Sequence, residues 1–394
     1  MKKIAFISSG YLPLPPVKGG AVETLIDILL NSSRIQSKYQ IDVYSIFDKE
    51  AIEETSNQNN INYIYIKSSF IMQKALRYII NKYTRKYIGN DYIANLIKEN
   101  KKKLLNYDYV IVENKPEFGL ILRKYVKGKL ILHSHNDFLN KDTKHAKAIT
   151  KSYDQIYALS KYICNRIKEI SPQDCKNKIK LLYNGIDISK FKLKENDINI
   201  KKLKKRYNIQ KNDIVFLYTG RLVPEKGIKE LICAFNEIQD KHYKLLIIGS
   251  VSYGKTQKNS FTDTLVQLSK KNKNIIYTGY VSYKEMPFYY HLANYGVVPS
   301  LWEEPFALTV IEHLASGHPL VVANSGAIPE LVTTKCALII NKNKNYIQKL
   351  KEGLVAITTA NMSKKDCIEQ ASLFSKEQYI KTFLKLLVGE NNEN

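Results

Sequence analysis

Cysteine is scarce in this chain. Cys164, Cys175, Cys233, Cys336 and Cys367 are its five cysteines among 394 residues, with no Cys-x-x-Cys pair and no histidine cluster beside them. That spacing argues against a disulfide framework or a zinc finger and fits a reducing, cytoplasmic setting. Long apolar runs are missing too: none approaches the ~20 residues that a membrane-spanning helix needs. The N-terminal Met1-Lys2-Lys3 and the apolar residues after it imitate a secretory leader, but the run stops before Gly10 and reads as a first strand. The dinucleotide fingerprint Gly-x-Gly-x-x-Gly is absent, as is any solenoid-type repeat. Acidic residues are few, 37 against 61 Lys and Arg, so the net charge is +24. An excess of that size requires an anionic partner or surface, and nucleic acid, anionic lipid and phosphorylated substrate all satisfy it.

What is present reads as globular, with 44% hydrophobic and 25% charged residues. The length exceeds one compact core of ~100–200 residues, so two α/β domains are expected. Nearly continuous apolar runs, the pattern of strands covered on both faces, occur at 3–9, 41–47, 61–66, 107–113, 129–133, 156–159 and 179–183. They return at 213–220, 244–249, 274–278, 295–298 and 319–323, with helical periodicity between them. This predicts an N-terminal domain over 1–187, a linker region over 188–212, a second parallel-sheet domain over 213–374, and a C-terminal helix and tail over 375–394 that packs back on the first domain.

Four stretches carry chemistry. The loop after the first strand, Gly10 to Gly20, leads into a helix over 21–30. Gly19 and Gly20 let its backbone approach a phosphate or sugar, although a plain tight turn needs the same residues. After the strand at 129–133 comes His133-Ser134-His135-Asn136-Asp137, at the carboxyl end of the sheet where open α/β folds bind ligands. Two histidines and an aspartate could suggest a metal, but no further ligand spacing supports one, and a structural role is the simpler reading. Thr219-Gly220-Arg221-Leu222-Val223-Pro224-Glu225-Lys226-Gly227 places a planar guanidinium and a compact ammonium in one loop. These can stabilise a departing diphosphate without a metal, or serve as ordinary surface charges.

The fourth is Ser300 to Ser316, closed by Gly317. Pro305 suits a first helical turn, and Phe306, Val310, Ile311 and Leu314 recur at helical spacing. That places Glu304 in the loop before a helix, Glu312 about two turns inside it, and unpaired amides at Phe306, Ala307 and Leu308 between the carboxylates. Anion-binding amides between two strong acceptors suit a ligand with phosphate and hydroxyl groups, such as a nucleotide sugar. A polar loop capping an amphipathic helix would have the same pattern.

Taken in order, these marks resemble the retaining glycosyltransferase family 4 (glycosyl transferases group 1). They are Gly19-Gly20, His135, Asn184-Gly185-Ile186-Asp187, Gly220-Arg221 with Lys226-Gly227, Gly249, Gly279, Pro299-Ser300, Glu304 to Glu312, and Gly326 to Glu330. The resemblance covers nearly the whole chain. It implies a GT-B fold, two facing Rossmann-like domains with a cleft between them, and transfer of a hexose-type sugar from a nucleoside-diphosphate sugar. It also implies that no cofactor and no metal is required, and this sequence has no Asp-x-Asp metal site. By the same resemblance, Arg221 and Lys226 bind the donor diphosphate, Glu304 and the amides of Phe306, Ala307 and Leu308 meet the sugar, and Glu312 holds the ribose. Gly19 and Gly20 approach donor and acceptor, and His135, or alternatively His133, lies near the transferred sugar. Ala307 departs from the pattern, since many relatives have glycine there.

A basic helical segment over 70–105 adds a further expectation. Between Lys67 and Leu105 ten Lys or Arg residues face two acids, which suits docking on an anionic membrane surface, although a solvated helix face has the same composition. With no nucleic-acid-binding motif in the chain, the expected partners are a nucleotide sugar and a saccharide or lipid-linked acceptor at the inner face of the cell membrane. An epimerase or sugar phosphorylase of the same fold, or a non-enzymatic basic scaffold, are the competing readings.

Overall fold

The computed structural model describes residues 1–58, 60–67, 90–193, 197–250 and 260–389. They form two compact units, one of Met1–Gly185 with Tyr379–Asn394 and one of Ile186–Gln378.

The first unit is built on strands β1 (Lys2–Ile7), β2 (Tyr39–Ile46), β3 (Ile61–Ile66), β4 (Tyr109–Glu113), β5 (Lys129–Ser134), β6 (Gln155–Ala158) and β7 (Ile179–Leu181). Every pairing is parallel, in the order β3-β2-β1-β4-β5-β6-β7. Parallel strands need crossovers and are covered on both faces, which explains why Ile4 to Ile7 and Tyr109 to Glu113 are wholly buried. The order reverses between β1 and β4, so the loops that follow these two strands diverge and leave a crevice at their carboxyl ends. The Gly10–Gly20 loop and Asn114 stand there.

The second unit repeats the arrangement with β8 (Ile214–Thr219), β9 (Tyr243–Ile248), β10 (Ile275–Gly279), β11 (Tyr295–Val298), β12 (Leu320–Ala323) and β13 (Ala337–Ile340), ordered β10-β9-β8-β11-β12-β13 and again all parallel. Its reversal lies between β8 and β11. Phe216, at the middle of β8, packs among Phe235, Tyr243 and Tyr295 with ring centroids 5.4–6.2 Å apart.

Twelve strands are where the apolar runs predict them, within two residues. The thirteenth, β13, was not anticipated: Ala-Leu-Ile-Ile is short, and three of its side chains are partly or fully exposed at a sheet edge. Between β4 and β5 the chain makes a single turn at Pro116–Phe118 followed by the short helix Gly119–Leu122. Residues 188–212, read above as a linker, fall in the second unit, where Phe191 is buried with its ring edge-on to Tyr290 at 5.4 Å and Ile200 anchors the helix Ile198–Arg206.

The C-terminal helix Lys376–Val388 starts in the second unit, and from Tyr379 onward it belongs to the first. Its apolar face, Tyr379, Phe383, Leu386 and Leu387, joins Ile4, Phe6, Ile131 and Tyr157 in one core. Phe383 stacks on Phe6 and meets Tyr157 edge-on, both at 6.1 Å. Phe383→Ala is therefore expected to cost about 3–5 kcal/mol, as for other buried Phe truncations. Urea denaturation followed by tyrosine fluorescence measures this, and a loss below about 1 kcal/mol would show the helix to be an appendage.

Candidate functional site

The residues singled out from sequence fall into two groups, one in each unit. In the second unit the loops after β8 and β11 meet because these strands are neighbours. The loop after β8 is pinned by Tyr218, whose hydroxyl donates to the Arg221 carbonyl at 2.8 Å, and ends in a single turn, Pro224–Lys226. Gly227 closes it at φ +68°, and a Cβ there would lie 1.9 Å from the Pro299 carbonyl oxygen. Only glycine permits that approach. The loop after β11 answers by donating the Leu301 and Trp302 amides to the Glu225 carbonyl, both at 2.9 Å.

These backbone contacts bring Lys226 and Glu304 together. The Lys226 ammonium donates to Glu304 Oε1 at 2.6 Å and the Ser300 hydroxyl donates to the same oxygen at 2.7 Å. Glu304 is buried, while Lys226 keeps about a quarter of its side chain exposed. Beneath Glu304, Ala327 donates its amide to the Glu304 carbonyl at 2.8 Å, and Gly326 fits so closely that a Cβ would be 2.5 Å from the Glu304 nitrogen. Arg221 is half-exposed and lies 3.7 Å from Glu225, a contact too solvated to hold it strongly. The structure thus sets Lys226 beside Glu304, with Arg221 in the same loop beside Glu225.

The helix after Glu304 differs from expectation. It spans Leu308–Ala315 with Ala307 at its N-cap, so Pro305 and Phe306 precede it, and the Phe306 ring lies 6.0 Å from Phe374. Residues 303–304 are tied to 325–327, which keeps the chain extended past Pro305. The amides at the helix start are those of Leu308 and Thr309 rather than of Phe306, Ala307 and Leu308. Glu312 is accordingly little more than one turn in, not two. Its carboxylate is buried and accepts a hydrogen bond from the Tyr290 hydroxyl at 2.6 Å, while Tyr290 also meets Thr219 Oγ1 at 3.1 Å. Burial pushes the Glu312 carboxyl up, and hydrogen bonds from Tyr290 and the half-exposed Tyr283 oppose that. Neither tyrosine had a signal in the sequence beyond helical or loop context.

In the first unit, Gly20 caps the helix Ala21–Leu30 and faces the buried carboxylate of Glu23; Gly19 precedes it, also at positive φ. Burial, aided by the charge of Glu113, raises the Glu23 carboxyl. His135 follows β5. Parallel register sets Glu113 of β4 opposite His133 of β5, and Glu113 Oε2 is 3.0 Å from His133 Nδ1 and 2.9 Å from His135 Nε2. The His135 amide donates to Asn114 Oδ1 at 3.1 Å. Both histidines are buried, so the structure joins the two alternatives in one cluster through a residue that sequence reading missed. Glu113, the polar last residue of an apolar strand, was the available signal. Glu113, His133 and His135 are the group among the described residues that could hold a metal ion, with ligand atoms within 4.8 Å of one another. As arranged, the 2.9 Å contact of His135 Nε2 is a hydrogen bond to Glu113, while His133 Nδ1 lies 3.0 Å from the same oxygen without hydrogen-bond geometry.

Residues 70–89 of the basic segment lie outside the described residues. Its remainder is the helix Asp91–Leu104, which buries Tyr92, Ile93, Leu96, Ile97 and Leu104 and places Lys101, Lys102 and Lys103 in its last turn. Among the described residues no helix is long and apolar enough to cross a membrane.

Residues 199–373, which contain Arg221, Lys226, Glu304 and Glu312, match the family described as glycosyl transferases group 1. Over those residues the chain is of the glycosyl transferases group 1 type. The chain is 25% identical to spore coat protein SA of Bacillus subtilis, over 89% of its length and 90% of that protein. It is likewise 25% identical to a lipopolysaccharide 1,2-N-acetylglucosaminetransferase of Salmonella typhimurium, over 84% of the chain and 83% of that protein. Among solved structures, HepE of Anabaena, in complex with UDP, superposes with a TM-score of 0.73 at 16% identity, over 98% of this chain and 100% of that one. The sucrose-phosphate synthase of Thermosynechococcus elongatus gives 0.73 at 19%, over 98% of each chain. These likenesses establish the GT-B fold of two Rossmann-like domains.

The histidine cluster is expected to lower the stability of the first unit in acid. Burial, with His133 adding to it, lowers His135 from 6.5 to about 4. Burial alone would raise Glu113, but His133 and His135 outweigh it and hold the carboxyl at about 2. Both groups bind fewer protons folded than unfolded in these ranges, so stability falls as pH drops: through His135 from 6.5 toward about 4, and through Glu113 from 4.5 toward about 2. Thermal midpoints between about pH 7.5 and about pH 4 should decline, and less steeply in Glu113→Gln; equal slopes would show that the cluster contributes nothing.

Proposed function

We propose that the chain is a retaining glycosyltransferase that moves a hexose-type sugar from a nucleoside-diphosphate sugar to a saccharide or lipid-linked acceptor in surface polysaccharide or glycan synthesis. The observation that carries this is the Lys226–Glu304–Ser300 cluster at the carboxyl ends of β8 and β11, the reversal point of the family-matched unit. A preset ammonium beside a preset carboxylate suits a ligand that has an anionic diphosphate next to a hydroxyl-rich sugar.

In this reading Lys226 and Arg221 offset the charge that develops on the diphosphate as its bond to the anomeric carbon breaks, which needs no metal ion. Glu304 accepts hydrogen bonds from sugar hydroxyls, with Ser300 and Lys226 keeping its carboxylate in place. Glu312 accepts from the ribose. Gly19 and Gly20 admit donor and acceptor, and His135 lies at the transferred sugar. The acceptor hydroxyl attacks from the face the diphosphate leaves, its proton passing to the departing phosphate oxygen, so the anomeric configuration is kept. The names of the relatives support a glycan product, lipopolysaccharide in Salmonella typhimurium and capsular polysaccharide in Staphylococcus aureus, where residue identity to a capsular glycosyltransferase is 34% over 42% of this chain. The net charge of +24 supports a place at the cytoplasmic face of an anionic membrane.

A thermal-shift screen against nucleotide sugars, beginning with uridine and guanosine diphosphate donors, identifies the donor, because a ligand of the native state raises the midpoint by mass action. With that donor, Lys226→Ala and Glu304→Ala should each lower kcat about 100–1,000-fold, the scale of losing one preorganised charge partner. Wild-type turnover in either variant would sink the role given to that residue, and no shift with any nucleotide sugar would sink the donor class.

A further inference from the structure

Glu113, His133 and His135 form a buried polar cluster in the first unit, and the transfer reaction as proposed uses only His135. A buried carboxylate can only accept hydrogen bonds, so the 2.9 Å contact from His135 Nε2 requires the proton to be on that nitrogen. His135 Nδ1 is then the ring's one acceptor, and it is buried without a hydrogen-bond partner among the described residues. The backbone is held as well. Asn114, at φ +56°, accepts the His135 amide at 3.1 Å and donates its own to the His133 carbonyl at 2.8 Å. Ring and main chain of His135 are thus gripped from β4, by adjacent residues of one strand end.

We propose that Glu113 is a positioning residue for the transfer reaction: it locks the His135 ring in the Nε2–H tautomer and one orientation, and so sets the segment that meets the transferred sugar. This rests on the reading that His135 lies at that sugar. His133, 3.0 Å from the same carboxylate oxygen and with its ring 4.0 Å from that of His135, packs beside the pair and restricts how far the His135 ring can turn. The arrangement follows a general rule of histidine chemistry, that the partner of one ring nitrogen decides what the other can do.

Two measurements test it. In protein labelled with 15N-histidine, long-range 1H–15N spectra distinguish Nε2–H from Nδ1–H rings, and His135, assigned by its loss in His135→Ala, should be Nε2–H. In Glu113→Gln the amide can donate to Nε2, so the ring should switch tautomer, and kcat should fall at least about tenfold while the donor KM stays within about threefold. An Nδ1–H ring in the wild type overturns the proposal without any variant having to fold. So does a Glu113→Gln enzyme of unchanged kcat when His135→Ala is inactive. If His135→Ala transfers sugar normally, the placement of His135 at the sugar fails, and this proposal fails with it. Stoichiometric zinc bound by the wild type and lost in Glu113→Gln would also overturn it, since Nε2 would then be a metal ligand rather than a donor.

Discussion

The 2.6 Å ion pair between Lys226 and Glu304 is the contact on which the organisation of the second unit turns. Neither partner is held by its own helix or strand. Lys226 ends a one-turn segment and Glu304 lies in a loop, so both depend on backbone packing beneath them. Gly227 against the Pro299 carbonyl and Gly326 against Glu304 are the two approaches that a side chain would block. Both follow from topology: β8 and β11 are adjacent although they are far apart in sequence, and the strand order reverses between them. A partly buried ion pair carries a desolvation cost that offsets much of its Coulomb attraction. Its retention makes better sense as preorganisation than as a source of stability. With Ser300 holding the same carboxylate oxygen, a diphosphate arriving at Lys226 would leave Glu304 with a partner rather than with a bare buried charge.

Much of this was legible in the sequence, because apolar runs and loop residues report the strands and their carboxyl ends directly. Lys226, Glu304 and Glu312 could be named from their loops and helix alone. What periodicity could not report is which distant residues come together. Glu113 is one acid at the end of an apolar strand, a weak signal by itself, and it is the parallel register of β4 on β5 that sets it against His133. The misplaced helix start has a similar cause. Pro305 is compatible with a first turn, but hydrogen bonds from Gly326 and Ala327 to Glu303 and Glu304 keep the chain extended, and the helix begins at Leu308. Tertiary contacts overrode a local preference worth little by itself.

The two units solve the same problem in different ways. Each places a buried carboxylate near the carboxyl end of a parallel sheet, where its desolvation must be offset by donors. In the first unit the His135 imidazole supplies a donor with His133 close by, and the carboxylate is held below its usual range. In the second, tyrosine hydroxyls supply them, and burial prevails, so Glu312 is raised instead. The difference lies in the donor: an imidazole can share charge with the carboxylate, while a phenol near neutral pH can only donate a hydrogen bond.

That contrast bears on what Glu312 can do. Tyr290 is fully buried and braced by Thr219, with the Phe191 and His313 rings edge-on to it at 5.4 and 4.8 Å, so it holds Glu312 Oε2 in a setting that no ligand can readily disturb. Tyr283 is half exposed and contributes the weaker restraint. In the proposed function a ribose therefore shares the carboxylate with Tyr290 and competes with Tyr283. A hydroxyl pair that replaces a solvent-accessible phenol displaces little stabilisation, and the carboxylate it finds is already oriented by the buried partner. Recognition of the nucleotide then depends less on Glu312 as a free charge than on the tyrosine that keeps it aimed.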